Sequence, residues 1–193
     1  GDQLDCAMNY LFRDTMVGFF AKGNIDAELL DHRLQHMLMK YPDAVNLAMY
    51  NCLGSHDTVR FLTEAGDETW RLRLAVAFQM LFIGSPAVYY GDELGMTGEN
   101  DPGCRGGMAW QNADAELMRF VRDMIAVRKG SKAARLGAYR TLVAQGDVFA
   151  FERTLDGKRL TAVFNRGCES ATLDLADGAG TVTVPPRSVK IIQ

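Results

Sequence analysis

The chain has 193 residues, of which 48% are hydrophobic and 23% charged, and its formal net charge is −3. That size fits one domain or one and a half, with enough apolar residues for a sizeable core. The weak negative charge offers no footing on nucleic acid or an anionic membrane, and no stretch approaches the ~20 apolar residues of a membrane span; a neutral or polar small substrate fits better.

In chain order, Leu4–Asn9 reads as a buried strand. Gly1 runs into it with neither a Met nor a signal peptide ahead, so the true N-terminus is expected far upstream. Thr15–Lys22 reads as one helix, and Asn24, Ile25 and Asp26 supply capping candidates for a second. In that second helix Leu30, Leu34, Met37, Leu38 and Tyr41 recur at helical spacing, and Pro42 ends it. Met49–Leu53 is the next apolar run, broken by Gly54-Ser55-His56-Asp57. A helix over Glu68–Phe82 follows, then a third buried strand, Ala87–Tyr90, ended by Gly91-Asp92-Glu93. A loop from Leu94 to about Asn112 is long enough to be functional. Ala115–Lys129 forms a further helix, with Leu117, Phe120, Val121, Met124 and Ile125 facing inward.

Strand and helix thus alternate up to about residue 135, which predicts parallel strands covered by helices. Beyond it, Tyr139–Leu142, Val148–Glu152, Leu160–Asn165, Ala171–Leu175, Val182–Val184 and Ser188–Ile192 read as short strands. Asp156-Gly157 and Asp177-Gly178 are turn signals between them. This half is expected to be a small antiparallel β domain of roughly 55 residues.

In parallel α/β architectures, sites gather at the carboxyl ends of the strands. Asn9-Tyr10, Ser55-His56-Asp57 and Tyr90-Gly91-Asp92-Glu93 lie at such ends. His56-Asp57 is the sharpest of the three, since a carboxylate beside an imidazole can stabilise developing positive charge or hydrogen-bond vicinal sugar hydroxyls. The bland alternative is that Asp57 or Thr58 caps the turn toward Arg60. Of the adjacent Asp92 and Glu93, an extended chain would turn only one toward the site. Trp110, with Asp101 and Arg105, could line a sugar site, although for Trp110 simple packing of its loop against the strand-and-helix body is slightly favoured. His32 and His36 lie one helical turn apart without a third ligand. Cys6, Cys52, Cys104 and Cys168 lie far apart with no CxxC pair, and are expected as reduced thiols, which suits a cytoplasmic setting.

The segment Asn51-Cys52-Leu53-Gly54-Ser55-His56-Asp57-Thr58-Val59-Arg60 resembles the fourth conserved region of the α-amylase superfamily, glycoside hydrolase family 13. Pro86-Ala87-Val88-Tyr89-Tyr90-Gly91-Asp92-Glu93 resembles the family's eighth barrel strand. Asn100-Asp101-Pro102-Gly103-Cys104-Arg105 followed by Met108-Ala109-Trp110 is similar to neopullulanases, cyclomaltodextrinases and maltogenic amylases. The resemblance extends from Gly1 to the end, strong through residue 130 and looser over the β domain. It implies the C-terminal portion of a (β/α)₈ barrel, strands six to eight, over residues 1–135, followed by a β-sandwich domain over 136–193.

The resemblance further implies a retaining glycosidase acting on α-glucans or cyclodextrins. Asp57 would be its transition-state stabiliser, with His56 hydrogen-bonding the sugar at the cleavage point and Asp101 and Arg105 contacting sugars further along. The family's nucleophile and acid/base belong to strands four and five, which this sequence does not contain. Retaining hydrolysis needs those two carboxyls about 5–5.5 Å apart, so the isolated chain is expected to be inactive and to self-associate through exposed barrel edges. The alternative is a non-catalytic carbohydrate-binding or scaffolding piece on the same fold; the intact Ser55-His56-Asp57-Thr58 favours the enzyme. No cofactor is expected, and calcium in a parent enzyme is left open.

Overall fold

In the computed structural model the structure describes residues 6–175 and 180–193. Leu4 and Asp5 of the first expected strand, and the Asp177-Gly178 turn, lie outside them. Of that strand, the described part makes one parallel bridge, Met8 to Tyr50.

Helix α1 spans Tyr10–Met16 and passes into a π-helical stretch, Val17–Lys22. It starts five residues ahead of the expected Thr15 because Asn9 caps it, with Oδ1 accepting the Phe12 amide at 3.1 Å. Gly23, at φ 65°, ends it. Helix α2, Ala27–Lys40, is capped by Asp26, whose Oδ1 accepts the Leu29 amide at 2.8 Å, and Leu30, Leu34 and Met37 are buried as the spacing predicts. Pro42 does more than stop α2. It opens a short unanticipated helix, α3, Asp43–Ala48, where a missing N–H costs nothing.

Strand β1, Tyr50–Cys52, pairs in parallel with β2, Ser85–Ala87. The third expected strand therefore lies two residues upstream and stops at Ala87; Val88–Tyr90 leave the ladder, and Gly91 turns the chain at φ 86°. Between the strands run α4, Phe61–Glu64, and α5, Thr69–Leu81. The last eight residues of α5 are all buried, because this helix is sandwiched between the strands and the β half rather than lying at a surface. Helix α6, Ala115–Gly130, begins at Asp114, whose Oδ1 accepts the Glu116 and Leu117 amides. Ser131 then caps a second unanticipated short helix, α7, Lys132–Leu136.

The β half holds β3, Ala138–Gln145, β4, Val148–Leu155, β5, Lys158–Asn165, and β8, Ser188–Ile192, as one antiparallel sheet in the order β3-β4-β5-β8. Strands β6, Ala171–Leu175, and β7, Gly180–Val184, form a separate antiparallel pair. The β4–β5 turn is Asp156-Gly157, with φ 50° and 73°, the left-handed geometry a tight hairpin demands. One face of the larger sheet contributes Ala150 and Val163 to a small core with Leu175, Val182 and Val184. Its other face sends Phe149, Phe151 and Phe164 into the main core with Phe12, Phe20, Phe78 and Phe82.

Polar contacts lock the two halves together. Gly146, in the β3–β4 turn, accepts the Ala27 amide at 2.8 Å and donates to Glu28 Oε2 at 3.0 Å. Arg153 is fully buried and donates to the carbonyls of Leu81, Ala134 and Gly137, at 2.8 Å for the nearest nitrogen of each. It thereby satisfies the carbonyl ends of α5 and α7, which have no partners within their own helices. Arg153→Leu leaves the buried Leu81 and Gly137 carbonyls unmatched and Ala134 O with only Arg128 Nη1 at 3.4 Å, at about 1 kcal/mol or more for each. We expect a stability loss of about 3 kcal/mol by urea unfolding; a loss under about 1 kcal/mol would mean that water replaces the guanidinium. Among the described residues no helix is long and apolar enough to cross a membrane.

Candidate active site

The turn after β1 and the loop after β2 meet at the carboxyl ends of the two strands. Ser55 and Thr58 close the turn, with the Ser55 amide donating to Thr58 Oγ1 at 3.0 Å and the Thr58 amide to Ser55 O at 3.3 Å. Ser55 Oγ accepts the Asp57 amide at 3.2 Å and shares a hydrogen bond with Tyr10 Oη at 3.1 Å. These bonds fix the backbone and leave the Asp57 side chain directed outward, 57% exposed. The capping alternative fails, because α4 begins at Phe61 after Arg60 with no side-chain cap. Beneath the turn, Asn9 Nδ2 donates to Asn51 Oδ1 at 2.8 Å and Gln79 Nε2 to the carbonyls of Asn51 and Ala87 at 2.9 Å, tying the strand ends to one another.

All four predicted site residues come together. His56 Nε2 lies 3.3 Å from Asp57 Oδ2. Arg105 Nε donates to His56 O at 3.0 Å and pairs with Asp101 Oδ1 at 3.1 Å, while its Nη2 lies 3.5 Å from Asp57 Oδ1. Asp57 thus has a basic side chain beside each of its two carboxylate oxygens. A cavity of about 280 Å³ lies over the strand ends, with His56 the one member of this cluster in its lining, beside Met8, Tyr50, Ser55, Val88 and Tyr89.

Asp92 and Glu93 do not lie on an extended chain. They occupy a 3₁₀ turn, Asp92–Leu94, that buries Asp92. Asp92 Oδ1 accepts from Arg60 Nη1 at 2.9 Å, and Arg60 is fully buried. Burial pushes the Asp92 carboxyl up to about 7 against the pull of the Arg60 guanidinium. Glu93 instead faces a groove with Trp110, Met118 and Arg122. Trp110 is 70% exposed at the rim of that groove, so its side chain does little to pack the loop down, which is the role slightly favoured for it. His32 and His36 line a groove between α1 and α2, and among the described residues no three His, Cys, Asp or Glu side chains gather as a metal site. The four cysteines are free; Cys104 is buried, with Sγ donating to His56 O at 3.2 Å.

Sequence reasoning placed Tyr10 and Asp92 at strand ends without assigning them partners, and it missed Arg60 and Cys104. Arg60 lies three residues past Asp57, and the only signal it carries in the sequence is that of a lone cation between the apolar Val59 and Phe61.

Two parallel strands thus bring a carboxylate and basic side chains together at their carboxyl ends, and an antiparallel β unit follows them. Residues 1–138 match the family described as alpha amylase, catalytic domain, and the chain belongs to that family. The particular relatives narrow it further. The cyclomaltodextrinase of Thermoanaerobacter pseudethanolicus is 41% identical over 182 residues, covering 93% of this chain and 32% of the relative. Neopullulanase 2 of Thermoactinomyces vulgaris is 41% identical over 177 residues, covering 90% and 30%. The solved cyclic α-maltosyl-(1→6)-maltose hydrolase of Arthrobacter globiformis, in complex with that cyclic sugar, superposes with a TM-score of 0.94 at 36% identity, over 99% of this chain and 45% of that one. The chain spans about a third of the length of the curated relatives it matches.

Proposed function

We propose that this chain forms the C-terminal portion of a retaining glycosidase acting on α-glucans, cyclic maltooligosaccharides among them. Residues 1–135 then supply strands six to eight of a (β/α)₈ barrel, and 136–193 a β-sandwich domain; the family match ending at residue 138 supports that division. The observation that carries the reading is the convergence of Asp57, His56, Arg105 and Asp101 from two loops 44 to 49 residues apart in sequence (101 − 57 and 105 − 56) on one exposed carboxylate.

Each group then has a task. Asp57 faces the positive charge that builds on the anomeric carbon as the glycosidic bond breaks, and stabilises that state more than the bound sugar. His56 holds a sugar hydroxyl beside the cleavage point. Asp101 and Arg105 bind hydroxyls further along the chain. The nucleophile and the acid come from strands four and five of the whole barrel.

The isolated 193-residue chain is therefore expected not to hydrolyse a nitrophenyl maltoside, whereas a polypeptide that adds the two preceding strands and their Asp and Glu is. Turnover by the pure chain that disappears in Asp57→Ala overturns this. Light scattering on the same sample reads self-association, which the uncovered strand edges and apolar faces are expected to drive; a monomer at high concentration counts against open barrel edges.

A further inference from the structure

We propose that Arg60 and Asp92 are a buried positioning pair that holds Arg105 and the His56 backbone in register with Asp57, without either touching sugar. This rests on Asp57 acting as a transition-state stabiliser.

Arg60 is costly to bury. Its side chain is fully enclosed, and among the described residues its Nε and Nη2 have no hydrogen-bond partner, so the fold must recover that cost through what remains. Nη1 donates to Asp92 Oδ1 at 2.9 Å and to the Tyr90 carbonyl at 2.8 Å. The guanidinium carbon lies 4.7 Å from the Tyr89 ring centroid and 4.9 Å from that of Tyr90, within cation–π range of both.

Those two rings lead to the site. Tyr89 Oη donates to the carbonyl of Cys104 at 3.2 Å, and Tyr90 Oη to that of Gly106 at 2.8 Å, so the residues on either side of Arg105 are both anchored on rings that Arg60 holds. Cys104 Sγ and Arg105 Nε in turn both donate to His56 O. A second connection runs through the backbone. The Arg60 amide donates to Gly98 O at 2.9 Å, and the Gly98 amide to Thr63 Oγ1 at 2.8 Å. The loop is drawn so tightly there that a Cβ on Gly98 would meet Gly103 O at 2.4 Å. Arg60 is thus attached to the loop bearing Arg105 at both ends, and lies three residues from Asp57 in the chain. An exposed Arg105 would otherwise sample many rotamers; anchoring its neighbours confines its fork to the Asp57 carboxylate.

The test uses the full-length enzyme and a nitrophenyl maltoside. Arg60→Met/Asp92→Leu removes both charges together, so neither is left buried alone, and such replacements are often neutral for folding. Its kcat is expected to fall about 10–100-fold, the scale of a small misplacement in a site, with KM little changed. In an Asp57→Asn background the same double substitution is expected to change kcat less than about threefold, because Arg105 and the His56 backbone are then no longer held against a carboxylate. A purely structural pair would instead give the full loss in both backgrounds, and that result overturns the proposal, as does a folded double variant with unchanged kcat. Asp92→Asn, nearly isosteric, is read in the same two backgrounds and decides the matter if the double variant does not fold. If Asp57→Asn alone leaves kcat intact, the assignment of Asp57 fails, and the positioning proposal falls with it.

Discussion

Asp57→Asn in the full-length enzyme is expected to lower kcat by about 10²–10³-fold, the loss seen when one preorganised electrostatic group is removed. Asparagine keeps the shape and most of the hydrogen-bonding capacity of the side chain, but not its charge. In the role proposed for Asp57 the charge acts chiefly on the oxocarbenium-like state, so KM should move much less than kcat. Stability should hardly change. The partners of Asp57, His56 at 3.3 Å and Arg105 at 3.5 Å, are both about half exposed, and exposed ion pairs contribute little. Steady-state kinetics beside a thermal melt separates these effects. A near-normal kcat in a well-folded Asp57→Asn enzyme excludes Asp57 from the chemistry, whatever the motif around it resembles.

Phe78→Ala is expected to cost about 3–5 kcal/mol, the range for emptying a large aromatic from a close-packed interior. Phe78 is fully buried, and its ring centroid lies 5.2–6.2 Å from those of Phe12, Phe20, Phe82, Phe149, Phe151 and Phe164. Three of those rings belong to the α/β half and three to the β sheet. The cavity would therefore open at the centre of one shared core, and neighbours held from both sides cannot collapse freely into it. Because that core is continuous, urea unfolding should remain one transition that moves to lower concentration with a similar slope. Two separated transitions would show that the halves unfold independently, and a loss below about 1.5 kcal/mol would show that the surrounding rings repack.

The antiparallel character of the β half was legible for the same reason that its hairpins form. Asp156-Gly157 is a local instruction, and alternation on either side of it specifies which face turns inward. Helices α2 and α6 were equally readable, since Asp26 and Asp114 cap them and apolar residues recur every third or fourth position. Helices α3 and α7, of 6 and 5 residues, are too short to show a period, and only Pro42 and Ser131 marked where they start. Strand β2 was misplaced by two residues because Val88, Tyr89 and Tyr90 have strand-forming side chains, while the chain is turned there by Gly91 and by the burial of Asp92 against Arg60.

For the candidate site, sequence alone determined the residue types and their motif: a carboxylate beside an imidazole after one strand, and an Asp and an Arg in the long loop after the next. These are local patterns, legible because caps, turns and strand ends depend on neighbours within a few residues. Only the tertiary structure decided that Arg105 lies against Asp57, that Arg60 is buried, that Asp92 is its partner 32 residues away, and that Trp110 stays exposed. A buried charge is tolerable only where the fold brings it a counter-charge and acceptors from distant segments, and no periodicity in the chain records which segments those will be.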